Sequence, residues 1–193
     1  MIFSIKNTLY FRGLFSFCCI LLLFSCQSEI KNEENENTLS SFLEKQIIIL
    51  NDRKAFVNKT VSIDSIIEKK VIKNINWKTE FEMFFQSDIL KSSFNGRYEV
   101  KINDHQILYT ILPNQSVPVK YLKINYGDDI KQIIKIEAMI DQSNYFYQTV
   151  KHLEMNFEKK NEKMFLKNYS IKGKRKLIFT SEVNFSINGE IVE

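Results

Sequence analysis

From Gly96 onward, apolar side chains recur at every second position. Tyr98, Val100 and Ile102 alternate with Arg97, Glu99 and Lys101, and near the end Val183, Phe185, Ile187 and Ile191 alternate with Glu182, Asn184, Ser186 and Asn188. Successive side chains of a strand point to opposite faces, so a period of two marks strands with one buried face. Strand segments are predicted at 98–102, 107–112, 117–126, 130–140, 145–157, 164–172 and 177–191, with "NDHQ", "YGDD", "DQSN", "EKKNEK" and "KGKRK" among their polar separators. Parallel neighbours need crossovers of a dozen or more residues, so links this short join antiparallel neighbours. A meander of about seven strands follows. "ILYTIL" at 107–112 is apolar at both parities, and 119–124 shifts parity midway, which predicts a bulge or sharp twist.

Ahead of the strands the period is helical. In residues 39–60, Leu39, Leu43, Ile47, Leu50 and Val57 recur at three-to-four spacing, and Ser41 with Glu44 has the spacing of a capping box. In "NINWKTEFEMFFQSDIL", Trp77, Phe81, Phe84 and Ile89 share one stripe, with Asn76 as its N-cap. Between them, "IDSIIEKKVI" at 63–72 is read as a short helix. The expected fold class is α+β, with N-terminal helices packed on an antiparallel meander sheet, flat or curled into a half-barrel. One sheet face should bury the Trp77 helix. If the other face is apolar too, the first helix, the curl of the sheet or a ligand must cover it.

The N-terminus carries a different signal. Lys6 and Arg12 precede an apolar run at 14–24, and no acidic residue appears before Glu29. Eleven apolar residues are too few to span a bilayer as a helix, which takes about 20. A basic flank, a short apolar run and a small residue at its end make a secretory signal peptide, 1–25. Leu23-Phe24-Ser25-Cys26 resembles the lipobox of bacterial lipoproteins. The resemblance implies that the Cys26 thiol takes a diacylglyceryl group, that cleavage precedes Cys26, and that the new amino end is acylated with palmitate or a similar chain. Each buried CH₂ contributes about 0.8 kcal/mol, so more than one chain holds a protein on a membrane. Gln27 stands where Asp marks inner-membrane retention in that family, which implies the outer membrane, on its periplasmic or its surface side. Residues 26–37, "CQSEIKNEENEN", form an acidic tether with little to pack, disordered by composition. Its acidity also resembles a surface-export signal of Bacteroidetes lipoproteins. Residues 38–193 then make one α+β domain.

Cys18 and Cys19 leave with the signal and Cys26 carries lipid, so the mature domain has no thiol for disulfides, thiolate metal sites or nucleophilic catalysis. The chain's formal charge is +4, and residues 38–193 hold 24 basic against 19 acidic residues, a mild excess suited to anionic lipid or polysaccharide. No basic cluster has the quality of a nucleic-acid motif. The densest patch, "KGKRK" at 172–176, is expected as a solvated hairpin turn. His105 falls in a turn and His152 mid-strand, without metal-ligand spacing. There is no G-x-S-x-G elbow and no phosphate-cradling glycine loop, so no catalytic residue, metal or cofactor is assigned. Aromatics reach 13%. Tyr98, Tyr109, Tyr121, Tyr145 and Tyr147 are candidate ligand-facing residues of an aromatic-lined sheet; tyrosines also suit any half-buried strand, with the ring inside and the hydroxyl in water.

"NWKTEFEMFFQSDILK" followed by strands ending in "YSIKGKRKLIFTSEVNFSING" resembles small Bacteroidetes outer-membrane lipoproteins. That resemblance implies an envelope protein and supplies no functional residue beyond Cys26. The expected role is a membrane-tethered binding or carrier module for a hydrophobic or glycan ligand. The alternatives are a structural or assembly subunit that docks an envelope protein, and, more remotely, a hydrolytic envelope enzyme with scattered residues. A hydrophobic cavity enclosed by 107–112, 119–126 and 145–147 would favour carriage, and a filled core with a flat apolar patch would favour docking.

Overall fold

The computed structural model describes residues 38–129, 132–160 and 163–192. The signal segment, Cys26 and the tether lie outside the described residues. The described residues form one compact unit, and the core side chains all fall between Leu39 and Ile191.

Helix α1 spans Leu39–Asp52 and buries Leu39, Leu43 and Leu50. Its N-cap is Thr38 rather than Ser41: the Thr38 hydroxyl oxygen accepts the Ser41 amide at 3.1 Å. The cap falls a turn early because the helix must begin at Leu39 to put that side chain in the core. The helix also stops earlier than its periodicity suggests. Lys54 adopts a left-handed φ of 51°, and the Ala55 amide donates back to the Leu50 carbonyl at 2.9 Å. Beyond it, residues expected as the rest of this helix and as a second short one form a hairpin of strands β1 (Phe56–Ile63) and β2 (Ile66–Ile72). Asp64, at φ 49°, turns the link, a conformation Asp tolerates better than most residues. Val57, Val61 and Ile63 do recur on one strand face, but the rival helical spacing from Ile47 to Val57 masked it. Pairing decides: β1 lies between β2 and the last strand, Val57 opposite Ile191 and Val61 opposite Ile187.

Two short helical turns follow, α2 (Trp77–Glu80) and α3 (Glu82–Gln86). Asn76 caps α2 as expected, its side-chain oxygen accepting the Thr79 amide at 3.1 Å. Trp77, Phe81, Phe84 and Ile89 are all buried. A 3₁₀ turn, Ser92–Phe94, leads into β3 (Tyr98–Asn103), β4 (Gln106–Ile111), β5 (Val119–Tyr126), β6 (Ile133–Ser143), β7 (Tyr147–Lys160), β8 (Lys163–Leu177) and β9 (Val183–Val192). These make the expected antiparallel meander, but the hairpin raises the sheet to nine strands in the order β2-β1-β9-β8-β7-β6-β5-β4-β3. The sheet is open, with β2 and β3 as its edges. The register shift between Val119 and Tyr121 is the irregularity the parity change predicts.

"KGKRK" is not a turn. Lys172, Lys174 and Lys176 lie within β8, paired with His152, Val150 and Gln148 of β7. Lysines at alternate positions can face water while Gly173 and Arg175 take the other side, so a basic run is compatible with a strand once both neighbours are long enough to pair with it.

One face carries the helices and the core. A cross-strand row through Lys59, Gly189, Tyr169, Met155, Ile136 and Ile124 shows its chemistry. The opposite face is mainly polar: Lys123 pairs with Glu137, Lys135 bridges Glu137 at 3.5 Å and Glu154 at 3.1 Å, and Asn156 donates to Asn168 at 2.8 Å. It needs no cover. The 15 residues of β8 extend about 50 Å, whereas the 14-residue helix is about 21 Å long. The core lies under the helices, and toward the β1–β2, β6–β7 and β8–β9 turns the same strands leave apolar surface beyond them.

Candidate functional site

The uncovered surface forms a trough at the end of the sheet where the β1–β2, β6–β7 and β8–β9 turns meet. It encloses about 600 Å³. Val61, Ile63, Phe185, Ile187 and Leu177 floor and wall it from three strands, and Met83 of α3 closes one side. The strands put these residues there by the alternation that opened the sequence: Val183, Phe185 and Ile187 share the helix-bearing face. Phe185 lies across Gly173, where a Cβ would come within 2.7 Å of the ring. The missing side chain thus lets an aromatic ring come against the β8 backbone.

Two cations share this apolar lining. Lys151, opposite Gly173 in the ladder, and Arg175, opposite Thr149, both line the trough. Burial pushes the Lys151 ammonium below its ordinary pKa, partly offset by the Glu82 carboxylate on α3. Arg175 has no ion pair among the described residues. A trough of aliphatic and aromatic side chains with two cations can take up an apolar chain and pair its acidic group.

A half-buried tie holds α2 on the sheet. Glu80 accepts hydrogen bonds from Lys59 at 2.7 and 2.9 Å, and the Tyr169 hydroxyl donates to the same carboxylate. Burial first, then the hydrogen bond to Glu80 and its charge, drives the Tyr169 pKa far above its usual value. The phenol stays protonated, so its role is to donate and to pin the helix rather than to exchange a proton.

The five candidate tyrosines are not brought together. Tyr147 lines the trough. Tyr145 stands exposed in the β6–β7 turn. Tyr98 and Tyr109 lie on the helix-bearing face but toward the β3 edge, where the Tyr98 hydroxyl donates to the Val119 carbonyl at 2.8 Å and burial pushes its pKa up to about 12. Tyr121 pairs with Thr110 and Met139, and the register shift places it away from Leu122 and Ile124. Of the segments 107–112, 119–126 and 145–147, whose enclosure of a cavity would favour carriage, only the last contributes to the trough, through Tyr147; the rest of the lining comes from β1, β6, β7, β8, β9 and α3. His105 is in a turn, its Nδ1 3.3 Å from the Gly127 carbonyl oxygen, and His152 is exposed mid-strand. No cluster of three metal-ligating side chains occurs among the described residues.

Sequence reasoning missed Lys151, Arg175, Phe185 and Met83 as a group. A signal existed: Lys151 has the parity of Leu153 and Met155, and Arg175 that of Tyr169 and Ile171. A cation in phase with core residues marks a strand end where the core gives way to something else. Among the described residues no helix is long and apolar enough to cross a membrane. Compared with known proteins, the chain matches no family model, no curated protein and no solved structure.

Proposed function

We propose that the protein is a lipid-anchored cell-envelope binding module that carries an anionic amphiphile, such as a fatty acid or lysophospholipid, in the trough between α3 and strands β1, β7, β8 and β9. The observation that carries this reading is the pairing of an open apolar volume of about 600 Å³ with Lys151 and Arg175 in its lining. Burying an acyl chain yields about 0.8 kcal/mol per CH₂, and a cation satisfies the acid group that would otherwise be costly to desolvate. A curl of the open sheet toward the helices, one of the two shapes the sequence allows, would deepen the same trough. Acyl chains on Cys26 would hold the module at the outer membrane; the support is the Leu23–Cys26 pattern and the polar tether after it.

Native mass spectrometry of a soluble form beginning at Gln27 tests the carrier. Adducts of fatty-acid mass are expected, and in titration with oleate the Lys151→Gln/Arg175→Gln variant should bind about tenfold more weakly, the worth of a hydrogen bond to a charged group. A ligand-free protein that takes up no oleate would end the proposal.

The anchor has its own test. Cys26→Ala is expected to abolish labelling by a palmitate analogue and to shift the protein out of the membrane fraction. Retention of that variant through an alkaline wash would contradict acyl anchoring.

A docking subunit is the second reading, and edge strand β2 favours it by exposing Ile66, Ile67 and Val71. Glu68, Lys69 and Lys70 on the same strand blunt that edge against strand addition.

A further inference from the structure

Beyond the trough, the same end of the sheet carries a cluster of large apolar side chains that the core does not use. Phe179 is 92% exposed, Tyr145 80% and Phe146 67%. They occupy two turns that support each other. Asn144 folds the first by accepting the Phe146 and Tyr147 amides on its side-chain oxygen at 2.8 and 3.0 Å. The Thr180 amide closes the second on the Leu177 carbonyl at 3.2 Å, and the Ile178 amide donates to the Phe146 carbonyl at 3.0 Å, joining the two. Hydrogen-bonded turns therefore hold these rings in water at the tip, where exposure of three aromatics is unfavourable unless something receives them.

The surrounding charge says what that is. Lys174, Arg175 and Lys176 end β8 immediately before the second turn. Lys174 pairs with Glu182 at 3.2 Å, and Arg175 and Lys176 have no ion pair among the described residues. Aromatic and aliphatic side chains on projecting turn tips, backed by unpaired cations, match an anionic lipid surface: rings enter the boundary between head groups and acyl chains, and cations meet phosphate. A rigid protein partner would be matched by a broad face, whereas these residues sit on narrow turns past the last ladder pairs.

We propose that the β6–β7 and β8–β9 turns form a membrane-contact tip, with Phe146 and Phe179 inserted into an anionic bilayer and Arg175 and Lys176 at its phosphates. This contact is separate from any acyl anchor; it shares Arg175 with the trough, so its test rests on Phe146 and Phe179, which do not line the trough. It would bring the open end of the trough against the bilayer.

The experiment uses the unacylated form beginning at Gln27, which contains the whole compact unit. In flotation, it is expected to bind phosphatidylcholine vesicles that contain phosphatidylglycerol, to bind pure phosphatidylcholine vesicles weakly, and to release as salt rises. Phe146→Ser/Phe179→Ser should weaken binding at least about tenfold, since each ring loses its apolar burial. Both positions are exposed, so the melting temperature should hold. In a second readout, Phe179→Trp should show a blue-shifted emission and quenching by brominated acyl chains on vesicle addition, against the constant signal of buried Trp77. Three results would each overturn the proposal: no binding to anionic vesicles, unchanged binding by the double variant, or a tip-dependent dimer that ignores lipid. Oleate uptake in the absence of vesicle binding would leave the trough reading intact and remove this one.

Discussion

Gly189→Ala is expected to destabilise the fold by about 3 kcal/mol, toward the upper end of what overpacking a core costs. Gly189 pairs with Tyr169 across β8 and β9, and the phenol ring lies directly over its Cα. A methyl group there would fall inside the van der Waals envelope of two ring carbons and the hydroxyl oxygen. The ring has little room to move. Tyr169 is 1% exposed, meets Phe81 and Phe84 edge-on at 5.6 and 6.3 Å between centroids, and is tied by its hydroxyl to Glu80. Relief would have to come from the backbone of two adjacent strands. Urea unfolding followed by circular dichroism measures the loss. Combining Gly189→Ala with Tyr169→Leu should cost clearly less than the two changes summed, because the second removes the ring the first collides with. A midpoint for Gly189→Ala within error of the parent would show that the ring does not occupy this place.

Trp77→Ala is expected to cost about 3–5 kcal/mol, the usual range for emptying a large aromatic site in a core. Trp77 is 3% exposed and packs on Phe81 at 5.4 Å between centroids, the first contact of a chain of rings that continues through Phe84 and Tyr169. It is also the first residue of α2, so the cavity opens where a four-residue helix meets the sheet. Short helices draw their stability from packing rather than from their own hydrogen bonds, and α2 should fray once the indole is gone. Far-ultraviolet circular dichroism and calorimetry follow this change, since the variant has no tryptophan to report it. An unaltered melting curve would mean that the indole contributes nothing to the core.

The strands after Gly96 and the aromatic stripe of residues 77–89 were legible because their periods are local. Val183, Phe185, Ile187 and Ile191 alternate over a single strand, and any strand with that pattern must bury one face. The β1–β2 hairpin was not legible. Residues 47–57 satisfy a helical spacing, and Val57 turns to the sheet only because β9, more than 120 residues later, offers it a ladder. "KGKRK" likewise reads as a turn until β7 is seen to run beside it for fourteen residues.

The candidate site divides in the same way. Tyr147 could be named from its place in an aromatic strand. Lys151, Arg175, Phe185 and Met83 belong to three strands and a helix, and no local pattern joins them. Alternation along the chain determined which side chains face the core, because a strand's geometry sends neighbours to opposite sides. Only the tertiary structure decided where that core ends in an open trough, because the core under the helices stops short of the turn end of β1, β7, β8 and β9.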